Sequence, residues 1–166
     1  TEGIDGSKRA TKLAEEKGLH VRQGFISGEE IDLGKQYDVI VLVNVIEHAN
    51  DLGRFLSVLK NSLARNGRIM ITLPIQDFGG YDIFFAEHVW HFLVKHVVQM
   101  LNRNGLNIIF SDSEHPVNHG IGLFVCEQMA QGVTRTLEVF DENDRAKLDV
   151  VGKYWHGIFN NLDDVL

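Results

Sequence analysis

Residues 37–74 read YDVIVLVNVIEHANDLGRFLSVLKNSLARNGRIMITLP. The first seven residues are mostly apolar and β-branched, as expected of a strand buried on both faces of a parallel sheet. A helical apolar pattern follows, with Asn50 as the predicted N-cap, and Asn66-Gly67 should end this helix before a second strand over residues 68–73. The stretch therefore predicts a βαβ unit with a right-handed crossover. The apolar residues at helical spacing are Leu52, Phe55, Leu56, Leu59 and Leu63.

A polar junction containing Asn44, Glu47 and His48 follows the first of these strands. Ligands of open α/β sheets bind beyond the carboxyl ends of the strands, so these side chains are candidates for a binding site. The alternative is that Glu47 and His48 only begin a helix, where the helix dipole favours an acidic residue. The sequence leaves both interpretations open.

Composition limits the class of protein. The 166 residues are 44% hydrophobic, which suits one α/β core with an appendage. The net charge of −7, with dispersed Lys and Arg, argues against a nucleic-acid partner. A single cysteine, Cys126, excludes an intramolecular disulfide, and no apolar run is long enough to span a membrane. Without a signal-peptide pattern, the expected location is cytoplasmic.

Two segments before the central unit carry candidate binding residues. Asp5 ends a short predicted strand before a helix over residues 8–17. Its carboxylate can accept hydrogen bonds from a ribose diol, or it can cap the turn. Phe25 and Ile26 lie in a loop, where they can stack on a flat ring or fill the core.

A second polar cluster lies at residues 86–92, after a loop over 74–85 whose length is typical of binding loops. Glu87 can orient the His88 ring and raise its basicity, which is an arrangement suited to a general base. His88 and His91 are three residues apart, but a histidine pair without a third ligand does not predict a metal site. We therefore expect no metal.

The rest of the chain completes the sheet. A helix should end at Asn104-Gly105, and strands are predicted over residues 106–110 and 120–127 as antiparallel neighbours. Residues 141–166 show an apolar pattern at roughly helical spacing. We expect an α/β domain over residues 1–130 and a helical extension over residues 131–166.

In this order, the motifs resemble those of class I S-adenosylmethionine-dependent methyltransferases over residues 3–127. The matching features are Gly-Ile-Asp before a Ser-headed helix, Tyr-Asp-Val-Ile before Val-Ile-Glu-His, and an Asn-Gly turn before a strand that ends in Pro. The resemblance implies a Rossmann-like, mostly parallel sheet with an antiparallel last strand, and S-adenosylmethionine as cofactor. It implies that Asp5 holds the ribose. The other cofactor-binding residues expected are Phe25, Ile26, Val43, Asn44, Val45 and His48.

A narrower resemblance links residues 87–92 to sugar C-methyltransferases. It implies that His88 removes the acceptor proton and that Glu87 binds or orients the acceptor. The expected substrate is a small molecule, with a nucleotide-linked sugar as one candidate. Two other functions stay open: an NAD-dependent oxidoreductase, since Asp5 also suits a dinucleotide ribose, and a non-catalytic assembly module.

One element of the family pattern is absent from this sequence. Family members begin with a strand and a Gly-rich turn, and this strand 1 is central in the usual order 3-2-1-4-5-7-6. We therefore expect a fragment that binds S-adenosylmethionine weakly or not at all alone. The gap could be filled by a missing N-terminal segment or by a second copy in a homo-oligomer.

Overall fold

The computed structural model describes residues 1–24, 33–76, 82, 85–113 and 120–130. Phe25, Ile26 and the predicted helical extension over residues 131–166 lie outside them. No helix in the described part of the chain is long and apolar enough to cross a membrane. In chain order, the elements are β1 (Gly3–Asp5), α1 (Lys8–Glu16), β2 (Val21–Gln23), β3 (Tyr37–Val43), a 3-10 turn (Ile46–His48), α2 (Leu52–Asn61), β4 (Leu63–Pro74), α3 (Val94–Arg103), β5 (Leu106–Asp112) and β6 (Ile121–Gln128).

The strands form two sheets. One contains β1 and β2 in parallel, and the other has the order β3-β4-β6-β5. β3 and β4 are parallel, whereas β6 runs antiparallel to both of its neighbours. If the six strands are matched to family strands 2–7, the observed order is 3-2 and 4-5-7-6. The predicted Rossmann-like α/β fold with an antiparallel last strand is confirmed.

No strand among the described residues joins β1 to β3, and the two do not pair with each other. Their amino ends are nevertheless close, because Glu2 accepts a hydrogen bond from the Tyr37 hydroxyl and pairs with Lys35 Nζ at 3.0 Å. The edge of β3 that faces away from β4 therefore has no strand partner in the described structure.

The prediction that β3 is buried on both faces was wrong for this chain. Val39, Val41 and Val43 are 59%, 53% and 62% exposed, while Leu42 is buried. β3 lies at the edge of its sheet, and only the face that carries Leu42 packs on the core. A run of β-branched residues indicates that a strand suits a buried position, but it does not supply the neighbours that bury it.

Two predicted boundaries of the central unit were also wrong. The N-cap of α2 is Asp51, whose carboxylate accepts a hydrogen bond from the Arg54 amide at 2.9 Å, and not Asn50. The helix ends at Asn61, so Asn66-Gly67 lies inside β4. There the register shifts: Tyr37 pairs with Leu63, but Val39 pairs with Arg68. The Asn-Gly pair therefore makes a bulge in the strand.

The core lies between β4, β6 and the apolar faces of α2 and α3, as the helical patterns predict. Burial raises the pKa of the Cys126 thiol in β6 to about 12, so this thiol stays protonated at neutral pH. The core includes Leu42, Phe55, Leu56, Leu59, Leu63, Ile69, Ile71, Leu73, Val97, Leu101, Leu106, Phe124 and Cys126.

A substitution at Gly67 tests the bulge in β4. A Cβ at this position would lie 2.7 Å from Leu63 Cδ1 and 2.9 Å from the Tyr37 carbonyl oxygen. Gly67→Ala should therefore lower the free energy of unfolding by about 1–3 kcal/mol through overpacking. In Gly53→Ala, the control in α2, no described atom outside the helix backbone lies closer to the added Cβ than Asp51 Oδ1 at 3.6 Å, so a gain of about 0.5–1 kcal/mol is expected. Urea unfolding of both variants gives the values, and equal effects would contradict the bulge geometry.

Candidate functional site

The 3-10 turn and the segment over residues 85–92 meet at the carboxyl end of β3. The Glu47 carbonyl accepts hydrogen bonds from the Val89 and Trp90 amides at 2.9 and 3.1 Å. The Trp90 indole Nε1–H donates to the Ala49 carbonyl at 2.6 Å. These contacts fix the position of residues 88–90 relative to the turn.

The continuation of β4 holds the same segment from the other side. Ile75 forms a parallel bridge with Phe92, and the Gln76 amide donates to the Phe92 carbonyl at 2.7 Å. Both residues that follow β4 are buried. The segment is therefore attached to the ends of two neighbouring parallel strands, which is where α/β proteins place ligands.

Asn44 directs the chain out of β3 into the turn. Its φ is +49°, and among the described residues it is the only non-glycine residue with positive φ. Asparagine adopts this left-handed conformation more readily than most residues. Its amide donates to the Thr72 carbonyl at 3.0 Å, which ends the pairing with β4. The predicted helix start at Glu47 and His48 is thus a single 3-10 turn, separate from α2.

Asp82 organises the histidines of the site. It is only 5% exposed and accepts hydrogen bonds from Nδ1 of His88, from Nδ1 of His91 at 2.8 Å and from Gln76 Nε2 at 2.9 Å. Because a carboxylate only accepts, each Nδ1 must carry a hydrogen. In its neutral form, the His88 ring then has its lone pair on Nε2.

His48 has the same arrangement with a different acceptor. Its Nδ1 lies 2.9 Å from the Glu87 carbonyl oxygen, so Nδ1–H donates and Nε2 is the remaining nitrogen. The His48 and His88 rings meet edge to face at 4.7 Å between centroids, and Phe85 stacks on His88 at 5.2 Å. The Glu87 residue is exposed, and Asp82, not Glu87, is the carboxylate that contacts the His88 ring.

Glu47 is a buried acid without a described partner. It is 0% exposed, and neither carboxylate oxygen has a hydrogen-bond partner among the described residues. Burial raises the pKa of this carboxyl above its usual value. One ligand-type atom from each of Glu47, His48 and His88 lies within 4.8 Å of the other two. These three side chains therefore form a compact group of potential donors.

The residues predicted to bind the cofactor lie at two strand ends. Asp5 is exposed at the end of β1, where its Oδ1 accepts from the Ser7 amide at 2.7 Å. Its Oδ2 accepts no hydrogen bond from the described residues, so the turn-capping role leaves one oxygen available. Val43 and Asn44 are exposed at the end of β3, and Val45 is half-buried beside the 3-10 turn.

The structure thus brings together His48, Glu87 and His88, whereas Asp5 lies on the other sheet. Asp82 was missed as a member of the site, because no periodic pattern in the sequence marks it. Glu47 was a candidate as part of the polar junction, but its burial was not predicted. Its burial is what makes Glu47 unusual, and the sequence does not show it.

A methyltransferase domain model matches residues 1–112 of the chain. The chain belongs to the methyltransferase domain family. The predicted membership of the S-adenosylmethionine-dependent methyltransferases is confirmed, and with it S-adenosylmethionine as the cofactor of the family.

The known proteins that match this chain share little sequence identity with it. A ubiquinone biosynthesis O-methyltransferase of Rickettsia conorii is 30% identical over 88 residues, which are 52% of this chain and 30% of that enzyme. A solved complex between the Haloferax volcanii Trm112 methyltransferase activator and a methyltransferase matches with a TM-score of 0.63 and 13% identity over 78% of this chain and 72% of that chain.

A second solved structure contains a bound ligand pair. It is the Burkholderia thailandensis 1,6-didemethyltoxoflavin-N1-methyltransferase with bound 1,6-didemethyltoxoflavin and S-adenosylhomocysteine. Its TM-score is 0.59 at 15% identity, over 78% of this chain and 61% of that chain. At such identities, the two solved structures support the fold alone.

Proposed function

We propose that this domain transfers a methyl group from S-adenosylmethionine to a small-molecule acceptor at the carboxyl end of β3. The observation that carries the proposal is the His88 ring. Asp82 fixes its Nδ1–H, which leaves Nε2 as the proton acceptor beside the exposed His48. A base held in one tautomer by a buried carboxylate suits the removal of an acceptor proton.

The cofactor would lie between the ends of β1 and β3. The available Asp5 oxygen suits a ribose hydroxyl, and the exposed Val43 and Asn44, with Val45, suit the methionine part. Phe25 and Ile26 remain proposed contacts to the adenine ring. When bound, the cofactor supplies an electrophilic methyl group.

The chain's own contribution would be alignment and proton removal. The segment over residues 85–92, held by β4 and the 3-10 turn, would place the acceptor against the end of β3. His88 Nε2 would take the acceptor proton, with Asp82 stabilising the imidazolium that forms. The exposed Glu87 is a proposed contact to the acceptor.

The residues of the site restrict the class of acceptor more than methyl transfer by itself does. A hydroxyl or an acidic carbon needs a base, and a histidine base is what this site offers. The similar Rickettsia protein is named as an O-methyltransferase, and the resemblance of residues 87–92 to sugar C-methyltransferases suggests a nucleotide-linked sugar. The family match favours methyl transfer over the oxidoreductase alternative.

The unpaired edge of β3 bears on affinity. Val39, Val41 and Val43 are exposed on one face of β3, and its outer edge has no strand partner among the described residues. Both observations suggest that a further strand or a second copy covers this part of the sheet during function. We therefore expect the 166-residue chain alone to bind the cofactor weakly. The same unpaired edge is the observation that supports the alternative of a non-catalytic assembly module.

Cofactor binding can be tested by nuclear magnetic resonance, which detects weak complexes. Titration of the ¹⁵N-labelled chain with S-adenosylhomocysteine should shift the amide signals of Asp5, Asn44 and Val45. Asp5→Asn keeps an acceptor for the Ser7 amide but loses the charge, so affinity should fall about 10- to 100-fold. Asp38→Asn, at the other end of β3, should bind normally.

Titration with NAD is the comparison for the oxidoreductase alternative. Signals that shift with NAD but not with S-adenosylhomocysteine would contradict the proposed function. Equal affinities of the two aspartate variants would contradict the role of Asp5.

The His88 role has its own test. In an assay of methyl transfer to a panel of hydroxyl and acidic-carbon acceptors, His88→Ala should lower kcat about 10²–10⁴-fold, because proton removal loses its base. S-adenosylhomocysteine affinity should stay nearly unchanged. His20→Ala, a control for an exposed histidine, should retain wild-type kcat. Full activity of His88→Ala would remove His88 from the mechanism.

A further inference from the structure

We propose that Glu47, His48 and His88 form a binding site for a divalent first-row transition-metal ion such as Zn²⁺. The donor set is two imidazoles and one carboxylate, which is a ligand set common at catalytic zinc and non-haem iron centres. Metal binding here does not depend on the proposed methyl transfer, and it can be measured without any assay of activity.

The buried Glu47 carboxylate is the first observation behind this site. It is fully buried, and its two oxygens have no hydrogen-bond partner among the described residues. A buried carboxylate without a partner is costly, and such groups are normally paired or coordinate metals. Its ligand atom lies within 4.8 Å of one on His48 and one on His88, so a cation between them would satisfy it.

The second observation is the state of the two imidazoles. Nδ1 of His48 donates to the Glu87 carbonyl, and Nδ1 of His88 donates to Asp82. Metal-binding histidines almost always donate their other N–H to a carbonyl or carboxylate in this way, which fixes the ring and raises its basicity. The Glu87 carbonyl and the Asp82 carboxylate thus hold the two rings as the outer-shell partners of metal-binding histidines do. The nitrogen left available for a metal on each ring is Nε2.

Charge and access agree with a cation. Glu47 and Asp82 are two carboxylates that are 0% and 5% exposed, so a divalent ion would offset charge that the protein otherwise buries. His48 is exposed, so one of the three proposed ligands is accessible from solvent. Metal–ligand bonds of about 2.1 Å place tetrahedral ligands about 3.4 Å apart, so ligand atoms that lie within 4.8 Å of one another need to close by at most about 1.4 Å.

His88 would have different roles in the metal-bound and metal-free forms of the protein. With an ion bound, His88 Nε2 is a ligand and cannot take a proton. The ion would retain open positions, since the protein supplies three ligands, and an acceptor oxygen bound there would have a lowered pKa. This consequence rests on the proposed function, whereas the binding of the ion does not.

The test is calorimetric titration of the metal-stripped full chain with Zn²⁺. One ion per chain should bind, and Glu47→Gln should weaken binding more than about 100-fold, beyond the 10- to 100-fold typical of losing an outer-shell partner. Asp82→Asn should weaken it within that smaller range. Glu87→Gln, a neighbouring exposed acid, and His20→Ala are the matched controls and should bind normally.

A measurement on the unmodified chain covers the case in which a variant fails to fold. Zn²⁺ should shift the imidazole Nε2 signals of His48 and His88 in long-range ¹H–¹⁵N spectra, with smaller effects on the other histidines. Binding that survives Glu47→Gln, that Glu87→Gln weakens equally, or that shifts other histidines instead would be adventitious and would overturn the proposal. Absence of Zn²⁺ binding would overturn it as well, without affecting cofactor binding at Asp5.

Discussion

The parallel pairing of β3 with β4 is the constraint on which the site depends. It ends both strands at the same edge of the sheet, so the 3-10 turn after β3 and the residues after β4 lie side by side. Residues 88–92 then bond to both: to the Glu47 carbonyl on one side and to Gln76 on the other. Without that common edge, His48 and His88, which are forty residues apart in sequence, would not meet.

Asp82 and Glu47 are both buried acids, but their surroundings give them different hydrogen bonding. Among the described residues, His88, His91 and Gln76 each donate a hydrogen bond to Asp82, which stabilises its buried negative charge. Glu47 accepts none from the described residues, although it lies beside the same histidine. A satisfied carboxylate can position rings for chemistry, whereas an unsatisfied one lowers stability unless a proton or a cation neutralises it. The proposed metal site follows from this contrast.

The sequence predicted most of the fold because local patterns carry that information. Apolar spacing identified α2 and α3, Asn104-Gly105 marked the end of α3, and the polar junction marked the end of β3. Prediction from the sequence failed for features that depend on contacts made in the folded chain. Burial of Val39, Val41 and Val43 depends on an element that packs on their face of the sheet, and the choice of Asp51 over Asn50 as cap depends on which side chain reaches the Arg54 amide.

The same distinction separates the predicted from the unpredicted part of the site. His88 and Glu87 stand out because acid, imidazole and aromatic residues are consecutive in sequence. Asp82 does not, because its contacts with His88, His91 and Gln76 form only in the folded chain. Glu47 was visible as a polar residue, but its burial is a property of the folded chain, in which the amides of residues 89 and 90 donate to its carbonyl.

The central claim is that the methyl donor and the acceptor meet at the carboxyl end of β3. A crystal structure of the chain soaked with S-adenosylhomocysteine tests it most directly. We predict that the ribose lies against Asp5 and that the sulfur lies beside the turn from Asn44 to His48, on the side of His88. A ligand ordered at another edge of either sheet, with no contact to Asp5 or to this turn, would contradict the claim.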